Sequence, residues 1–374
     1  TSGASTSRYF GMHRQLTTVS RHAARMYSTA GKEKIAMIGS GNFGSALVRI
    51  LGRNALDKPE TFDPKVSMYV HEEMIDGKPL TQIINETNEN VKYLKGAKFT
   101  PNVVAEPSLE KAVEGATMVC FCLPHQFLKP LMPAIKASVA PGAKALSAIK
   151  GIDFDDKGIV LISDIIRKEL AADCSVLMGA NVANDMASDQ FCETTIGYKN
   201  DANGILFQKA FDCPSLKVGI VKDTVGVELC GALKNIVAIG AGYVDGLGYG
   251  GNTKAAIMRI GLLEMKKFCN MFYSDIDDDT FLESCGVADL ITTCYGGRNR
   301  KCAEAFAKAG KKKSLDEIEA ELLGGQKLQG TLTAKEVNHV LKMKGLEHEF
   351  PFFTAVYKIS YEDTPLEAIC TTPY

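Results

Sequence analysis

Residues 34–51 read KIAMIGSGNFGSALVRIL, which is a short apolar run, a turn with three glycines and a helical pattern. In this context the spacing G-x-G-x-x-G predicts a dinucleotide-binding unit, although a plain strand-to-helix turn is the alternative. The first glycine permits the tight turn, the second lets the backbone approach a pyrophosphate, and the third lets the helix pack closely. We therefore expect phosphates at the helix N-terminus, against Gly39, Ser40, Gly41, Asn42, Phe43 and Gly44.

Further apolar runs of strand length follow this turn, at residues 66–70, 118–123, 143–149 and 176–178. Helical patterns at residues 45–56 and 108–114 lie between some of these runs. This alternation predicts a parallel, doubly wound sheet, which two more β-like runs at 193–198 and 216–221 extend.

The character of the chain changes after Asp223, where the periodic segments have helical length. Residues 253–272 are apolar around most of the circumference, which predicts a central helix of an all-α domain. The predicted fold class is therefore α/β, a doubly wound Rossmann-type sheet over residues 32–222 followed by an all-α C-terminal substrate domain over 223–374.

The chain has 374 residues, of which 43 are basic and 44 acidic, and its formal net charge is −1. This balance gives no overall field that would attract nucleic acid or an anionic membrane. No apolar stretch approaches the roughly 18 residues of a membrane-spanning helix. The eleven cysteines form no C-x-x-C pair and no zinc-ligand pattern. We expect reduced, mostly buried thiols and no metal site.

The N-terminal segment differs in composition from the rest. Residues 1–30 contain ten serines or threonines, no acidic residue and four arginines, Arg8, Arg14, Arg21 and Arg25. This composition predicts a disordered extension over 1–31 that acts as an organelle transit peptide, and the tetrapeptide RMYS at 25–28 resembles a mitochondrial processing site. We expect the mitochondrial matrix; a basic tail on a cytosolic protein is the alternative.

Polar residues follow three of the predicted strands, at the edge where ligands bind in such sheets. The second strand ends before His71 and Glu72, with no arginine nearby. An acidic residue there accepts from the ribose hydroxyls and repels a 2′-phosphate, which predicts NAD rather than NADP. Glu72 is further from Gly39 along the sequence than the usual ~20 residues, which implies an insertion near 54–64. His125 and Lys150 follow the next strands and are expected to face the cofactor. The alternatives are that His125 only caps a helix and that Lys150 is only a surface charge.

Lys234 and Asn235 stand in the apolar helical segment LCGALKNIVAI, residues 229–239. A lysine in such surroundings loses hydration, and its pKa falls towards neutral pH. It is then suited to donate a proton to a carbonyl oxygen as hydride reaches the carbon, and Asn235 can bind the same oxygen. The alternative is an ammonium group that reaches solvent at a helix edge.

A candidate anion site follows at residues 286–300. Asp289 and Thr293 are four residues apart and share one helix face. Two glycines then precede Arg298 and Asn299, and a guanidinium with an amide suits a phosphate or a carboxylate. Together with the near-neutral chain this indicates a small phosphorylated substrate, which the glycine-bounded loop 324–330 is placed to cover.

These motifs together resemble the eukaryotic-type NAD-dependent glycerol-3-phosphate dehydrogenases. The resemblance spans about 34–361 and rests on GSGNFGSA at 39–46, PHQF at 124–127, IKG at 149–151, MGAN at 178–181, FCETTIG at 191–197, the Lys234 helix, 289–300 and 325–330. It implies interconversion of dihydroxyacetone phosphate and sn-glycerol 3-phosphate, with NAD as cofactor, in a homodimer.

The resemblance also implies roles for individual residues. Lys234 would transfer the proton, with Lys150, Asn235, Asp289 and Thr293 around the substrate and Lys150 also at the cofactor. Arg298 and Asn299 match phosphate contacts, and Arg298 matches a cofactor contact. Further cofactor positions are Phe127, Ala183, Lys327 and Gln329, and His71 stands where a phenylalanine is common near the adenosine.

Two other function classes remain open on the sequence. A related dehydrogenase of hydroxy acids can share the Rossmann domain, the helical domain and the Lys-Asn pair, although Arg298 and Asn299 after a double glycine favour a phosphate. A non-catalytic NADH-binding subunit is the second class, and the complete set of proposed catalytic residues argues against it.

Overall fold

Eight strands form one sheet in the computed structural model, which describes residues 31–155, 158–323 and 328–373. The predicted N-terminal extension and Lys327 lie outside the described residues. In chain order the strands are β1 (Glu33–Ile38), β2 (Phe62–Tyr69), β3 (Met74–Ile75), β4 (Lys78–Pro79), β5 (Val103–Glu106), β6 (Met118–Phe121), β7 (Lys144–Ser147), β8 (Asp153–Asp155), β9 (Gly158–Val160), β10 (Cys174–Met178), β11 (Cys192–Gly197) and β12 (Leu216–Val221). The pairs β3–β4 and β8–β9 are separate two-stranded sheets.

The order of the main sheet is β12-β11-β10-β7-β6-β1-β2-β5. From β5 to β10 all neighbours are parallel, which is the 3-2-1-4-5-6 order of a doubly wound dinucleotide-binding sheet. The predicted Rossmann-type sheet is thereby confirmed. Strand β11 runs antiparallel to β10, and β12 is parallel to β11. The order reverses between β1 and β6, so the ligand crevice of this fold lies at their carboxyl ends.

Helices cover both faces of this sheet and form the second domain. Those of the first domain are α1 (Asn42–Asp57), α2 (Leu80–Thr87), α3 (Leu109–Val113), α4 (Leu128–Ser138), α5 (Ile162–Leu170), α6 (Ala183–Ala187) and α7 (Asp201–Phe211). Those of the second are α8 (Thr224–Gly246), α9 (Gly251–Phe272), α10 (Asp289–Gly296), α11 (Arg298–Lys308), α12 (Leu315–Leu323), α13 (Gln329–Met343), α14 (Pro351–Tyr361) and α15 (Ala368–Thr371). Short 3₁₀ turns lie at His125–Phe127, Asp278–Leu282 and Glu347–Glu349, and a π-helical turn spans Ser284–Ala288.

The most buried helix of the second domain is α8, whereas residues 253–272, predicted to form a central helix, bury only part of their circumference. Twenty of the 23 residues of α8 are buried, because its glycines and alanines let neighbouring helices pack on all sides. In α9, by contrast, one side of the helix is exposed and carries both polar and apolar residues, such as Arg259 and Leu263. Helix α8 is also long and apolar enough to cross a bilayer despite Glu228 and Lys234, but 94% of its most apolar window is buried in the protein.

The strands of the sheet distribute their side chains to two cores. In β1, Ile35 and Met37 pack in the core on one face, and Ala36 and Ile38 pack in the core on the other. This alternation explains why the strand is a continuous apolar run. The core of the second domain continues from α8 onto Val176 and Met178 of β10, which brings the middle of α8 to the carboxyl end of the sheet.

Candidate active site

The glycine-rich turn lies between β1 and α1, next to the end of β6. Gly39 has φ +117°, and a Cβ on it would lie 2.1 Å from the carbonyl oxygen of Cys122. A Cβ on Gly44 would lie 2.3 Å from the carbonyl oxygen of Gly39, whereas one on Gly41 would meet open space. No described side chain caps α1, so its first N–H groups point into that space. The turn therefore fits the pyrophosphate of a dinucleotide.

Two asparagines fix the position of this turn. Asn90 is fully buried and donates through Nδ2 to the carbonyl oxygen of Ser40 at 2.8 Å and to Ser45 Oγ at 2.9 Å. Asn42 donates to the carbonyl oxygen of Tyr93 at 2.7 Å and to Asn184 Oδ1 at 3.1 Å. Asn90 is not predictable from the sequence, because it lies in an irregular segment fifty residues from the turn and carries no motif.

The residues expected near the adenosine and the nicotinamide lie around the same edge. His71 and Glu72 follow β2 and are exposed. Glu72 accepts from the backbone N–H and the hydroxyl of Thr81, at 3.1 and 2.5 Å, so its carboxylate caps α2. Phe127 follows β6 and is 57% exposed, and Ala183 is buried at the start of α6. An exposed phenylalanine at a ligand edge provides an apolar surface for a flat ring.

Lys234 and Asp289 form a buried ion pair at the junction of the two domains. Lys234 lies in the middle of α8 and is 3% exposed, and its Nζ contacts Oδ2 of Asp289, the first residue of α10. Lys150, which follows β7, places its Nζ 3.5 Å from the same oxygen. One carboxylate oxygen is thus shared by two ammonium groups, one from each domain.

The surroundings of Lys234 lower its pKa from 10.5 to about 8. Burial is the largest cause, since it penalises the charged form. The Asp289 carboxylate opposes this effect, and the positive charge of Lys150 lowers the pKa further. The predicted proton donor is therefore buried, paired and able to exchange a proton near neutral pH.

Lys150 is held by oxygens that sequence analysis did not assign to it. Its Nζ lies 3.2 Å from Asn181 Oδ1 and 3.5 Å from the carbonyl oxygen of Gly179, both in the turn after β10. The same Nζ lies 5.1 Å from the centre of the Phe43 ring. Lys150 therefore links the glycine-rich turn to the Lys234–Asp289 pair.

The candidate anion site lies at the start of α11. Gly297 precedes the helix, and among the described residues no side chain caps it. Its first N–H groups are therefore available to an anion, and burial lowers the pKa of the Arg298 guanidinium beside them. Asn299 is buried; it donates to Asn235 Oδ1 at 2.9 Å and accepts from the backbone N–H of Gly330, also at 2.9 Å.

Two further contacts join this end to the ion pair and to the cofactor edge. Thr293 Oγ1 donates to Asp289 Oδ1 at 3.3 Å. Gln329 begins α13, and its Oε1 lies 3.9 Å from the position that a Cβ on Gly151 would take. Of the predicted residues, Lys150, Lys234, Asp289 and Thr293 thus form one connected group, and Asn235 and Asn299 form a hydrogen-bonded pair next to it in the chain.

No group of three or more metal-ligating side chains occurs among the described residues, and all eleven cysteines are free thiols. A dinucleotide-binding sheet that delivers one lysine to a lysine–carboxylate pair of a helical domain defines the class of nicotinamide-dependent dehydrogenases. The sequence profiles of the N-terminus and the C-terminus of NAD-dependent glycerol-3-phosphate dehydrogenase match residues 34–204 and 223–371. The chain belongs to this family of NAD-dependent oxidoreductases.

Individual relatives agree with the family match. The chain is 54% identical over 340 residues to glycerol-3-phosphate dehydrogenase 1-like protein of Danio rerio. The aligned region covers 90% of this chain and 96% of the relative. It is 52% identical over 335 residues to the cytoplasmic NAD(+) glycerol-3-phosphate dehydrogenase of Homo sapiens, with coverage of 89% and 95%. The structure of Plasmodium falciparum glycerol-3-phosphate dehydrogenase superimposes with a TM-score of 0.88 at 39% identity, over 93% of this chain and 96% of that one.

These relatives overturn one expectation from the sequence. The basic, hydroxyl-rich composition of residues 1–30 led to the prediction of a mitochondrial location, but the human relative is named as cytoplasmic. The prediction was wrong because composition alone does not distinguish a targeting signal from a basic segment without that role.

Proposed function

We propose that this chain interconverts dihydroxyacetone phosphate and sn-glycerol 3-phosphate, with Lys234 as the proton donor in ketone reduction. The observation that carries this proposal is the buried Lys234–Asp289 ion pair, whose lysine has a pKa of about 8. A buried lysine with this pKa suits general acid catalysis better than structural pairing, because it changes protonation within the working pH range.

Lys234 Nζ gives its proton to the ketone oxygen, which becomes the hydroxyl of the product. Bound NADH supplies the hydride that the ketone carbon receives. Asp289 keeps the ammonium in place, and Thr293 holds the other carboxylate oxygen of Asp289. In the reverse direction the neutral amine of Lys234 takes the proton from the alcohol. Lys150 and Asn235 bind the substrate oxygens in this proposal.

The phosphate of the substrate binds at the start of α11 in this proposal. The free N–H groups of the helix and the Arg298 guanidinium supply charge-assisted donors, and the first turn of α11 contains no acidic residue. The Asn299–Asn235 contact joins this end to the ketone end of the substrate. Arg298 therefore contributes more to a phosphorylated ketone than to its unphosphorylated analogue.

NAD binds along the carboxyl edge of the sheet in this proposal. Its pyrophosphate meets the turn from Gly39 to Gly44, and its adenosine lies towards His71 and Glu72. Phe127, Lys150, Ala183, Arg298, Lys327 and Gln329 contact the remainder of the cofactor. The open space at Gly41 and the free N–H groups of α1 support this placement.

We also propose a cytoplasmic location and a homodimeric assembly. The location is supported by the name of the human relative. The assembly is implied by the family resemblance and is supported by the exposed Leu263 and Met271 on α9, which offer apolar surface. Sedimentation of the purified chain tests the assembly, and a monomer at micromolar concentration would contradict it.

The function is tested by NADH oxidation with dihydroxyacetone phosphate, comparing the wild-type chain with Lys234→Met. Removal of one positioned proton donor should lower kcat by about 10²–10⁴, while NADH binding, measured by fluorescence titration, stays near normal. Lys266→Met is the matched control, because Lys266 is also paired with an aspartate, Asp278 at 2.8 Å, but is partly exposed. No activity in the wild type, or equal activity in both variants, contradicts the proposal.

A further inference from the structure

Asn181 lies in the turn that follows β10 and is 2% exposed. Its Oδ1 is 3.2 Å from Lys150 Nζ, closer than the two other oxygens around that ammonium group, which are 3.5 Å away. Those two are the carbonyl oxygen of Gly179 and Oδ2 of Asp289. Two of the three acceptors therefore come from this turn, and the third is the carboxylate that Lys150 shares with Lys234.

A threonine determines which end of the Asn181 amide faces Lys150. Thr194 is buried, and its hydroxyl donates to the carbonyl oxygen of Met178 at 2.9 Å. Since its proton is used there, Oγ1 accepts from Asn181 Nδ2, at 3.0 Å. The amide nitrogen thus faces Thr194 and the oxygen faces the ammonium. A flipped amide would place N–H donors against Lys150 and lose the contact with Thr194.

The turn itself is fixed from both domains. A Cβ on Gly179 would lie 2.5 Å from Cα of Thr194, so the backbone of the turn lies directly against β11. On its other side, the backbone N–H of Ala180 donates at 3.2 Å to Oγ of Ser284, in the π-helical turn that leads to Asp289. Asn181 is therefore a rigid acceptor rather than a side chain on a loose loop.

We propose that Asn181 is a positioning residue: its amide oxygen holds the Lys150 ammonium at a fixed distance from the Lys234–Asp289 pair and thereby sets the pH range in which Lys234 gives up its proton. The inference rests on the proposed role of Lys234. The ionisable groups that face Lys234 are Asp289, Lys150 and the Cys294 thiol. Lys150 in turn acts on the Cys122 thiol, and Cys122 lies against Gly39 and Gly44 of the glycine-rich turn.

Two substitutions at Asn181 should move the pH profile in opposite directions. Asn181→Asp places a carboxylate beside Lys150, which offsets its repulsion of Lys234 and raises the pKa of Lys234. The alkaline limb of kcat/KM for ketone reduction should move up by about one pH unit. Asn181→Ala releases Lys150 towards Asp289, where it competes for the carboxylate, so the limb should move down by roughly half a unit.

The control for these variants is Asn203→Ala. Like Asn181, Asn203 is buried and forms a hydrogen bond through its amide, which donates to Asp173 at 2.7 Å. Asp173, however, precedes β10 and so lies at the opposite end of that strand from Asn181. Asn203→Ala should therefore leave the alkaline limb of kcat/KM unmoved. Thr194→Val, which frees the amide to flip and keeps the shape of the side chain, should act in the same direction as Asn181→Ala.

The experiment separates this inference from the proposed function. An alkaline limb that stays in place in both Asn181 variants, or moves in the same direction in both, overturns the inference even if Lys234→Met abolishes turnover. A wild-type chain that oxidises no NADH with dihydroxyacetone phosphate overturns the proposed function instead. If circular dichroism shows that an Asn181 variant does not fold, the limb of Thr194→Val decides: a downward shift supports the inference, and an unmoved limb refutes it.

Discussion

Replacing Asp289 by asparagine should change the pH dependence of catalysis more than its maximal rate. The substitution keeps the size of the side chain and removes the charge that faces both Lys234 and Lys150. The carboxylate raises the pKa of Lys234, and burial together with Lys150 lowers it. Its removal leaves the lowering effects of burial and Lys150 opposed only by the smaller raising effect of Cys294. We therefore expect the pKa of Lys234 to fall below about 8.

The size of this fall follows from the geometry. Lys234 lies closer to Asp289 than Lys150 does, which is 3.5 Å away, and even at 3.5 Å opposite charges interact by roughly 5 kcal/mol at an effective dielectric constant of about 20. An asparagine oxygen still accepts from an ammonium group and retains part of this energy. We expect a loss of about 3 kcal/mol at Lys234, which corresponds to a fall of roughly two pKa units.

The assay is the pH profile of kcat/KM in both directions of the reaction. Reduction requires protonated Lys234, so the alkaline limb of Asp289→Asn should lie near pH 6 instead of near 8, and activity should recover on acidification. Oxidation requires the neutral amine, so its acid limb should move down as well. Asp278→Asn, which removes an exposed partner of Lys266, is the control. A low rate with both limbs in their wild-type positions would refute the reasoning and leave Asp289 a structural residue.

Three other substitutions test separate parts of the site. Arg298→Lys keeps the charge but loses the planar fork, so kcat/KM should fall by roughly tenfold or more for dihydroxyacetone phosphate and much less for dihydroxyacetone; equal losses would assign Arg298 to the cofactor. Asn90→Ala removes two buried hydrogen bonds from the glycine-rich turn, so KM for NADH should rise about tenfold while Asn203→Ala leaves it unchanged. Glu228 is buried and its pKa is raised to about 7, so the folded state holds a proton that the unfolded state releases, and stability falls as pH rises through 7. Denaturant titration should show Glu228→Gln to be more stabilising at pH 8 than at pH 5, by about 1–3 kcal/mol.

The sequence predicts those parts of the fold and site that depend on local patterns. The apolar run before Gly39 and the glycine spacing predict the first strand, turn and helix, because each of those features is required within a dozen residues. Lys234 is recognisable because, apart from Asn235, every near neighbour along its helix is apolar, and the structure does bury it. The contact between Asp289 and Thr293 follows from helical spacing in the same way.

The parts that the sequence does not predict depend on contacts between distant segments. Asn90 and Asn181 have ordinary neighbours, and each matters only because folding places it against Ser40 or Lys150. The greater burial of α8 is not predicted for a related reason. Residues 253–272 are apolar on much of their circumference, but burial on all sides also needs small residues that admit neighbouring helices, and these occur in α8.

The shared carboxylate of Asp289 connects the arrangement of the two domains with the chemistry of Lys234. With both lysines charged, this cluster carries one excess positive charge inside the protein, which is a source of instability that an anion can relieve. A phosphate bound at the start of α11 supplies negative charge near the cluster and favours the protonated form of Lys234. In the proposed mechanism, substrate binding therefore prepares Lys234 for ketone reduction. Because Lys150 comes from the first domain and Lys234 from the second, this coupling depends on the two domains keeping the positions that the turn at Asn181 helps to fix.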